Sequence, residues 1–323
     1  MLFTILCTVL TPEREKSLMP KFNTIAVVGV GLIGASLAAA FKKLDSDIKL
    51  LGVDRDRSSI RKAEDLKIID QGFTEIKDNL KEADLIFIAV PVSKIEGVIK
   101  QIDQGSSRKQ LLVDAGSTKV EVIEAAERIL AESSKTFIGA HPMAGSHNSG
   151  IDWHNSELFE GAPFILTPVI KNAQENMGAE QILAELSKEK REQLLELKKL
   201  VKAIGAKCYI LSAEEHDKCT ALLSHLPHLL SSALVNLLAE KDDYKSLNRL
   251  SGSGFRDMTR IAGSSAELWE DIILSNRKNL VQLIDQYIGE LNQLKAELDD
   301  NKRREVFKFL DKAAKTKRKL DSN

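Results

Sequence analysis

Between residues 24 and 168 the chain alternates short β-branched runs with helical stretches, and this alternation limits the possible folds more than any single residue does. The apolar runs fall at 25–28, 50–53, 85–90, 111–113, 137–140 and 164–166, with helix-like segments such as 33–44, 58–66 and 120–130 between them. Strands that are apolar along their whole length need cover on both faces, so the pattern predicts an α/β fold with a mostly parallel sheet between helical layers. Residues 171–191 read as a polar connection or solvated helix, 194–204 as an amphipathic helix and 207–211 as one more strand. After Ser212 the strand signals stop. Residues 213–239 and 265–298 carry helical periodicity, interrupted at Ser251-Gly252-Ser253-Gly254, and 301–323 read as a basic, solvated terminal helix. Long apolar-striped helices need something to cover them, which predicts a homodimer built through the helical half.

Composition removes several classes. With 46 basic and 47 acidic side chains the net charge is -1, giving no electrostatic reason for a nucleic-acid or anionic-membrane partner. The first ten residues are apolar but span about half of the roughly 20 residues a membrane helix needs. They lack the charged start and small-residue cleavage site of a secretory signal. They are expected to be an extra tail, with Met19 as the working start. Three cysteines, Cys7, Cys208 and Cys219, share no metal or redox spacing, which predicts reduced thiols in the cytoplasm and no metal site.

The sharpest local signal is Gly29-Val30-Gly31-Leu32-Ile33-Gly34, directly after the first strand and opening the first helix. Gly29 is expected to permit the tight turn, Gly31 to let a pyrophosphate reach the backbone, and Gly34 to let helix and strand pack closely. Free amides at the helix start, around Leu32 and Ile33, suit phosphate. Asp54, about 20 residues on, ends the second strand where a carboxylate can bond both ribose hydroxyls. Its charge repels a 2′-phosphate and indicates NAD, while the neighbouring Arg55 and Arg57 keep NADP open. Val90 and Pro91 end the next strand where its backbone can meet the cofactor. The chain is therefore read as a tail (1–20), a Rossmann-like dinucleotide-binding domain (21–211) and an all-helical domain (212–323).

Three further segments concentrate polar chemistry. Asp114-Ala115-Gly116-Ser117-Thr118-Lys119 follows the 111–113 run, and His141-Pro142-Met143-Ala144-Gly145-Ser146-His147 follows the 137–140 run. Ser224-His225-Leu226-Pro227-His228 and Gly254-Phe255-Arg256-Asp257-Met258-Thr259-Arg260 lie in the helical half. Four of the six histidines fall in these segments, and the lack of companion cysteines or a helical HExxH argues against zinc.

In that order, GVGLIGAS, DAGSTK, GAHPMAGS, SHLPH and GFRDMTRIA resemble the prephenate dehydrogenase family, with the prephenate, arogenate and cyclohexadienyl dehydrogenases, over about residues 22–298. The resemblance implies an NAD-dependent oxidative decarboxylation of prephenate to 4-hydroxyphenylpyruvate in tyrosine biosynthesis, with arogenate giving tyrosine as the alternative. It implies that His141 takes the ring-hydroxyl proton, that Ser117 hydrogen-bonds the same hydroxyl, and that Arg260 grips a substrate carboxylate, with Arg256 the competitor. His228 and Ser224 are implied as pocket residues, Asp257 as a partner of nearby basic groups, and Trp269 as a wall that closes the pocket. His147 stands where many relatives carry an acid, residues 172–190 look long for the family, and no chorismate mutase module or regulatory domain is expected. Two other readings remain at this point. A β-hydroxy acid dehydrogenase would need a catalytic lysine, for which Lys218 is the nearest candidate, and a dinucleotide-sensing dimer would need no chemistry at all.

Overall fold

The computed structural model describes residues 22–76, 78–145, 148–170 and 177–322. The expected tail, His147 and part of the 172–190 segment lie outside the described residues. Eight strands form one sheet: β1 (Thr24–Val28), β2 (Lys49–Val53), β3 (Gln71–Phe73), β4 (Leu85–Ile88), β5 (Leu111–Asp114), β6 (Thr136–Pro142), β7 (Pro163–Pro168) and β8 (Lys207–Ile210). Their order is β3-β2-β1-β4-β5-β6-β7-β8. Every neighbouring pair is parallel except β6 with β7, where His141 lies opposite Ile165. The reversal places β7 beside β6 without a crossover helix, and β8 returns parallel to it.

Helices α1 (Leu32–Leu44), α2 (Arg57–Asp65), α3 (Val92–Gly105), α4 (Val120–Ile129), α5 (Ala179–Glu185) and α6 (Lys188–Ala203) cover the sheet. Period-two alternation along the strands assigns each face its own core. Ile25, Val27, Leu85, Phe87 and Val113 pack with α1 and α6 on one side. Ala26, Val28, Ile86, Ile88 and Leu112 pack with α3 and α4 on the other. Two expectations change. The three-residue edge strand β3 was not anticipated, and α6 begins at Lys188, six residues before the expected amphipathic start. Its Lys- and Glu-rich opening turns face solvent, while Leu194, Leu197, Leu200 and Val201 are buried.

The remainder is helical: α7 (Ala213–Thr220), α8 (Leu226–Ala239), α9 (Tyr244–Arg249), α10 (Ser253–Thr259), α11 (Ala266–Ser275), α12 (Arg277–Asp299) and α13 (Arg303–Asp321). A π-helical turn, Ala221–His225, joins α7 to α8. Pro227 has no N–H to return to the preceding turn, and the backbone opens there instead. By length and composition the run Ala213–Ala239 is apolar enough to cross a membrane. However, His216, Asp217, His225 and His228 on it are all buried inside the protein.

The aromatic pair Phe41 and Phe87, with ring centroids 5.4 Å apart, pins α1 to β4 in a region with no exposed surface. Phe41→Ala is expected to lower the unfolding free energy by about 3–5 kcal/mol, measured by urea denaturation.

Candidate active site

The carboxyl ends of the parallel strands converge on a cavity of about 830 Å³ lined by Gly29, Gly31, Asp54, Arg55, Val90 and Pro91, among others. Gly29 has φ +93, and a Cβ there would lie 2.3 Å from the Ala89 carbonyl oxygen. At Gly34 a Cβ would meet the Gly29 carbonyl oxygen at 1.9 Å, so helix and turn pack too closely for any side chain. Beside Gly31 the space is open. No side chain caps the start of α1 and its first turn holds no acid, leaving the Leu32 and Ile33 end of the helix to an anion. Asp54 accepts the Val30 N–H at 2.8 Å and the Asp56 N–H at 2.9 Å, which tie the glycine turn to the end of β2 and hold the carboxylate still. These features fit a dinucleotide with a free ribose 2′-hydroxyl. Arg55 is exposed at the same rim.

His141 lies within β6, one residue before its end, and not on the loop beyond it as expected. Alternation puts it on the face of Phe137, under α3 and α4. Its Nδ1 is 2.8 Å from Nε2 of His216, and His216 Nδ1 is 2.7 Å from Asp217 Oδ1. A carboxylate only accepts, so His216 donates from Nδ1 and, when neutral, accepts at Nε2; His141 therefore donates from Nδ1 and keeps a lone pair on Nε2. Asp217 also accepts the N–H groups of Lys119 and Val120 at 2.8 and 2.9 Å, capping α4. Burial, the neighbouring His216 and the Lys119 ammonium hold His141 well below the usual histidine range. Burial likewise holds His216 low and pushes the Asp217 carboxyl up, against the pull of its two backbone N–H bonds.

Ser117 is half-buried on the loop between β5 and α4. Among the described residues His141 is bonded to His216, with no bond to Ser117. His228 stacks on Trp269 with ring centroids 3.5 Å apart and planes 6° from parallel, so these two expected pocket residues are brought together. The His228 Nδ1 has no hydrogen-bond partner among the described residues. Ser224 is half-buried in the π-helical turn. Arg260 opens a 3₁₀ turn, Arg260–Gly263, that packs against α8. Both Arg260 and Asp257 are exposed, and among the described residues no hydrogen bond or ion pair joins either to the His141 cluster. Arg256 donates to the Ser251 carbonyl at 2.8 Å, which closes the turn before α10.

His216 and Asp217 were missed in the sequence. Their signal was an imidazole and a carboxylate side by side on the short, charged helix Ala213–Thr220, nine residues before His225. Asn276, also missed, donates to the Asp217 carbonyl at 2.8 Å and sits 3.2 Å from His225 Nδ1. No group of metal-ligating side chains occurs among the described residues.

Two family models match: "Prephenate dehydrogenase, nucleotide-binding domain" over residues 37–179 and "Prephenate dehydrogenase, dimerization domain" over residues 212–312. The chain belongs to the prephenate dehydrogenase family. It is an NAD-dependent dehydrogenase of that family, in keeping with the nucleotide cavity above. The prephenate dehydrogenase of Lactococcus lactis is 34% identical over 302 residues, covering 92% of this chain and 77% of that protein. The crystal structure of prephenate dehydrogenase from A. aeolicus in complex with hydroxyphenyl propionate and NAD+ is similar at TM-score 0.80 and 29% identity, covering 92% of this chain and 98% of that one. Synechocystis arogenate dehydrogenase gives TM-score 0.74 and 30% identity, covering 92% and 99%.

Gly34→Ala is expected to weaken NAD binding at least about tenfold, or 1.4 kcal/mol, measured by fluorescence titration. His225, pushed down to about 4 mainly by burial, stays neutral in the folded protein where the unfolded chain takes up a proton. Its contribution to stability is complete above pH 6.5 and is lost as the pH falls toward 4, at up to about 1.4 kcal/mol per pH unit. Removing the imidazole with His225→Asn is expected to flatten that part of a stability-versus-pH curve.

Proposed function

We propose that this dehydrogenase converts prephenate to 4-hydroxyphenylpyruvate and CO2 with NAD as oxidant. The observation that carries the reading is the His141 Nε2 lone pair, held at the crest of the sheet by His216 and Asp217. Bound NAD supplies the acceptor for the two electrons and the hydrogen that leave the carbinol carbon. His141 takes the hydroxyl proton from the same carbon, and the charge it gains is shared down the relay toward the Asp217 carboxylate. A base held neutral at pH 7 is ready to accept. Ser117, on the adjacent loop, hydrogen-bonds the hydroxyl and aligns it. Loss of the ring carboxylate as CO2 makes the ring aromatic and drives the step, and the oxygen regains its proton from His141 to give the phenol, so the protein's task is placement and charge matching.

Arg260 binds a substrate carboxylate through its guanidinium fork, with Asp257 balancing it and Ser224, His228 and Trp269 forming the wall of the pocket. Substrate thus lies between the sheet crest and the helical half, on either side of a boundary near residue 211. Prephenate is preferred to arogenate as substrate and NAD to NADP, the latter because Asp54 stands where a 2′-phosphate would lie. A cytoplasmic location suits the free thiols of Cys208 and Cys219. Leu223, Leu250, Met258, Leu291, Phe307 and Leu310 of the helical half are more than two-fifths exposed, and a second copy of the chain covers part of this surface.

His141→Asn is expected to lower kcat by about 10²–10⁴-fold with the Kd for NAD retained, followed by NADH absorbance; near-parent turnover overturns the assignment. Arg260→Ala is expected to raise the KM for prephenate at least about tenfold with less effect on kcat. Sedimentation at micromolar concentration is expected to give twice the 35.8 kDa chain mass, and a monomer alone counts against the dimer.

A further inference from the structure

Beneath the paired imidazoles lies an ion pair that the chemistry above leaves without a task. Lys119 and Asp114 are bonded to each other, and neither side chain has any exposed surface. Taking two charges out of water is costly, and an apolar pair of similar size often does as well for stability. The other bonds of the pair say what it holds. Asp114 Oδ1 accepts the N–H of Ala140 at 3.0 Å, the residue directly before His141, and Oδ2 accepts the Gly116 N–H at 2.8 Å. From its main chain Lys119 donates to Asp217 Oδ1 at 2.8 Å, the same oxygen that receives the His216 Nδ1 proton. Ala140, His141, His216, Asp217, Lys119 and Asp114 therefore form a closed ring, linked by the chain between Ala140 and His141 and by hydrogen bonds elsewhere.

We infer that Lys119, acting through Asp114, is a positioning residue for His141, fixing both the strand end that carries the imidazole and the carboxylate at the far end of its relay. The inference rests on His141 as the proton acceptor. One residue spans the ring: its ammonium anchors the β6 end through Asp114, and its amide anchors the helical half through Asp217. If either anchor slackens, the His141 ring can turn away from the reacting hydroxyl, and placement errors on this scale are costly to turnover. The ammonium also acts through space. The charged and titratable groups around His141 are His216, Asp217 and His225 from the helical run and Lys119 and Asp114 from the β5–α4 region. Of these, the Lys119 ammonium opposes a proton on His141 alongside burial and His216, while burial also holds the Lys119 ammonium below the usual lysine range.

The test is Lys119→Met, with Asp114→Asn/Lys119→Met as a second variant that leaves no unpaired buried charge should the single change fail to fold. Prephenate turnover is followed across pH by NADH absorbance, alongside the Kd for NAD. For the folded variant the expected result is a kcat at least tenfold lower, a Kd for NAD within twofold of the parent, and an acid limb of the rate profile displaced upward by about half a unit or more. A kcat and acid limb matching the parent in either folded variant overturns the inference, as does a lower kcat with an unmoved limb. His141→Asn separates this from the reading beneath it. A parent-like His141→Asn overturns the proton-acceptor assignment and the positioning role with it. An inactive His141→Asn beside a parent-like Lys119→Met overturns the positioning role alone.

Discussion

The Asp217 carboxylate ties the two halves of the molecule together and orients the paired imidazoles of His141 and His216 at the same time. It belongs to the first helix of the helical half, yet its oxygens cap α4 of the sheet domain through the N–H groups of Lys119 and Val120. No side chain at the start of α4 performs that task. A negative group at a helix start is favoured by the helix dipole, which offsets part of the cost of burying it. The same carboxylate sets the tautomer of His216 and, through it, that of His141. A displacement between the halves therefore reaches the His141 imidazole directly.

The two halves contribute different kinds of control. The sheet domain lines its cavity largely with backbone: a glycine turn, an uncapped helix start and the strand ends around Pro91, with the Asp54 carboxylate held at the rim. The helical half supplies side chains. Its α11 is ten residues long and meets the sheet domain twice. Asp271 accepts the Ser93 N–H at 3.0 Å beside the nucleotide cavity, and Ser275 is bonded to Thr118 at 2.9 Å on the β5–α4 loop. On the same helix Trp269 stacks on His228. The edge of the nucleotide cavity, the β5–α4 loop and the His228–Trp269 stack thus share one rigid element.

Seven of the eight strands were readable, six of them because a strand buried on both faces must be apolar throughout, a demand few other elements make. β3 was not, since Gln71-Gly72-Phe73 at the sheet edge meets no such demand. The antiparallel setting of β7 was also hidden, because an apolar run looks the same in either direction. The nucleotide turn was legible for a steric reason: at Gly29 and Gly34 no other residue fits. His216, Asp217 and Lys119 were not, because an adjacent acid and imidazole on a helix, or a lysine before one, ordinarily face water. Only contact with β6 across the chain gives them their task, and no local spacing records it.

The stack of His228 on Trp269 has an optical consequence. The chain holds two tryptophans, and Trp153 is 55% exposed, so its emission reports on solvent. The indole of Trp269 lies flat against an imidazole whose protonation burial disfavours. A cationic imidazole quenches a stacked indole far more than a neutral one does. The emission of Trp269 is thus a built-in gauge of the charge on His228, readable without any label.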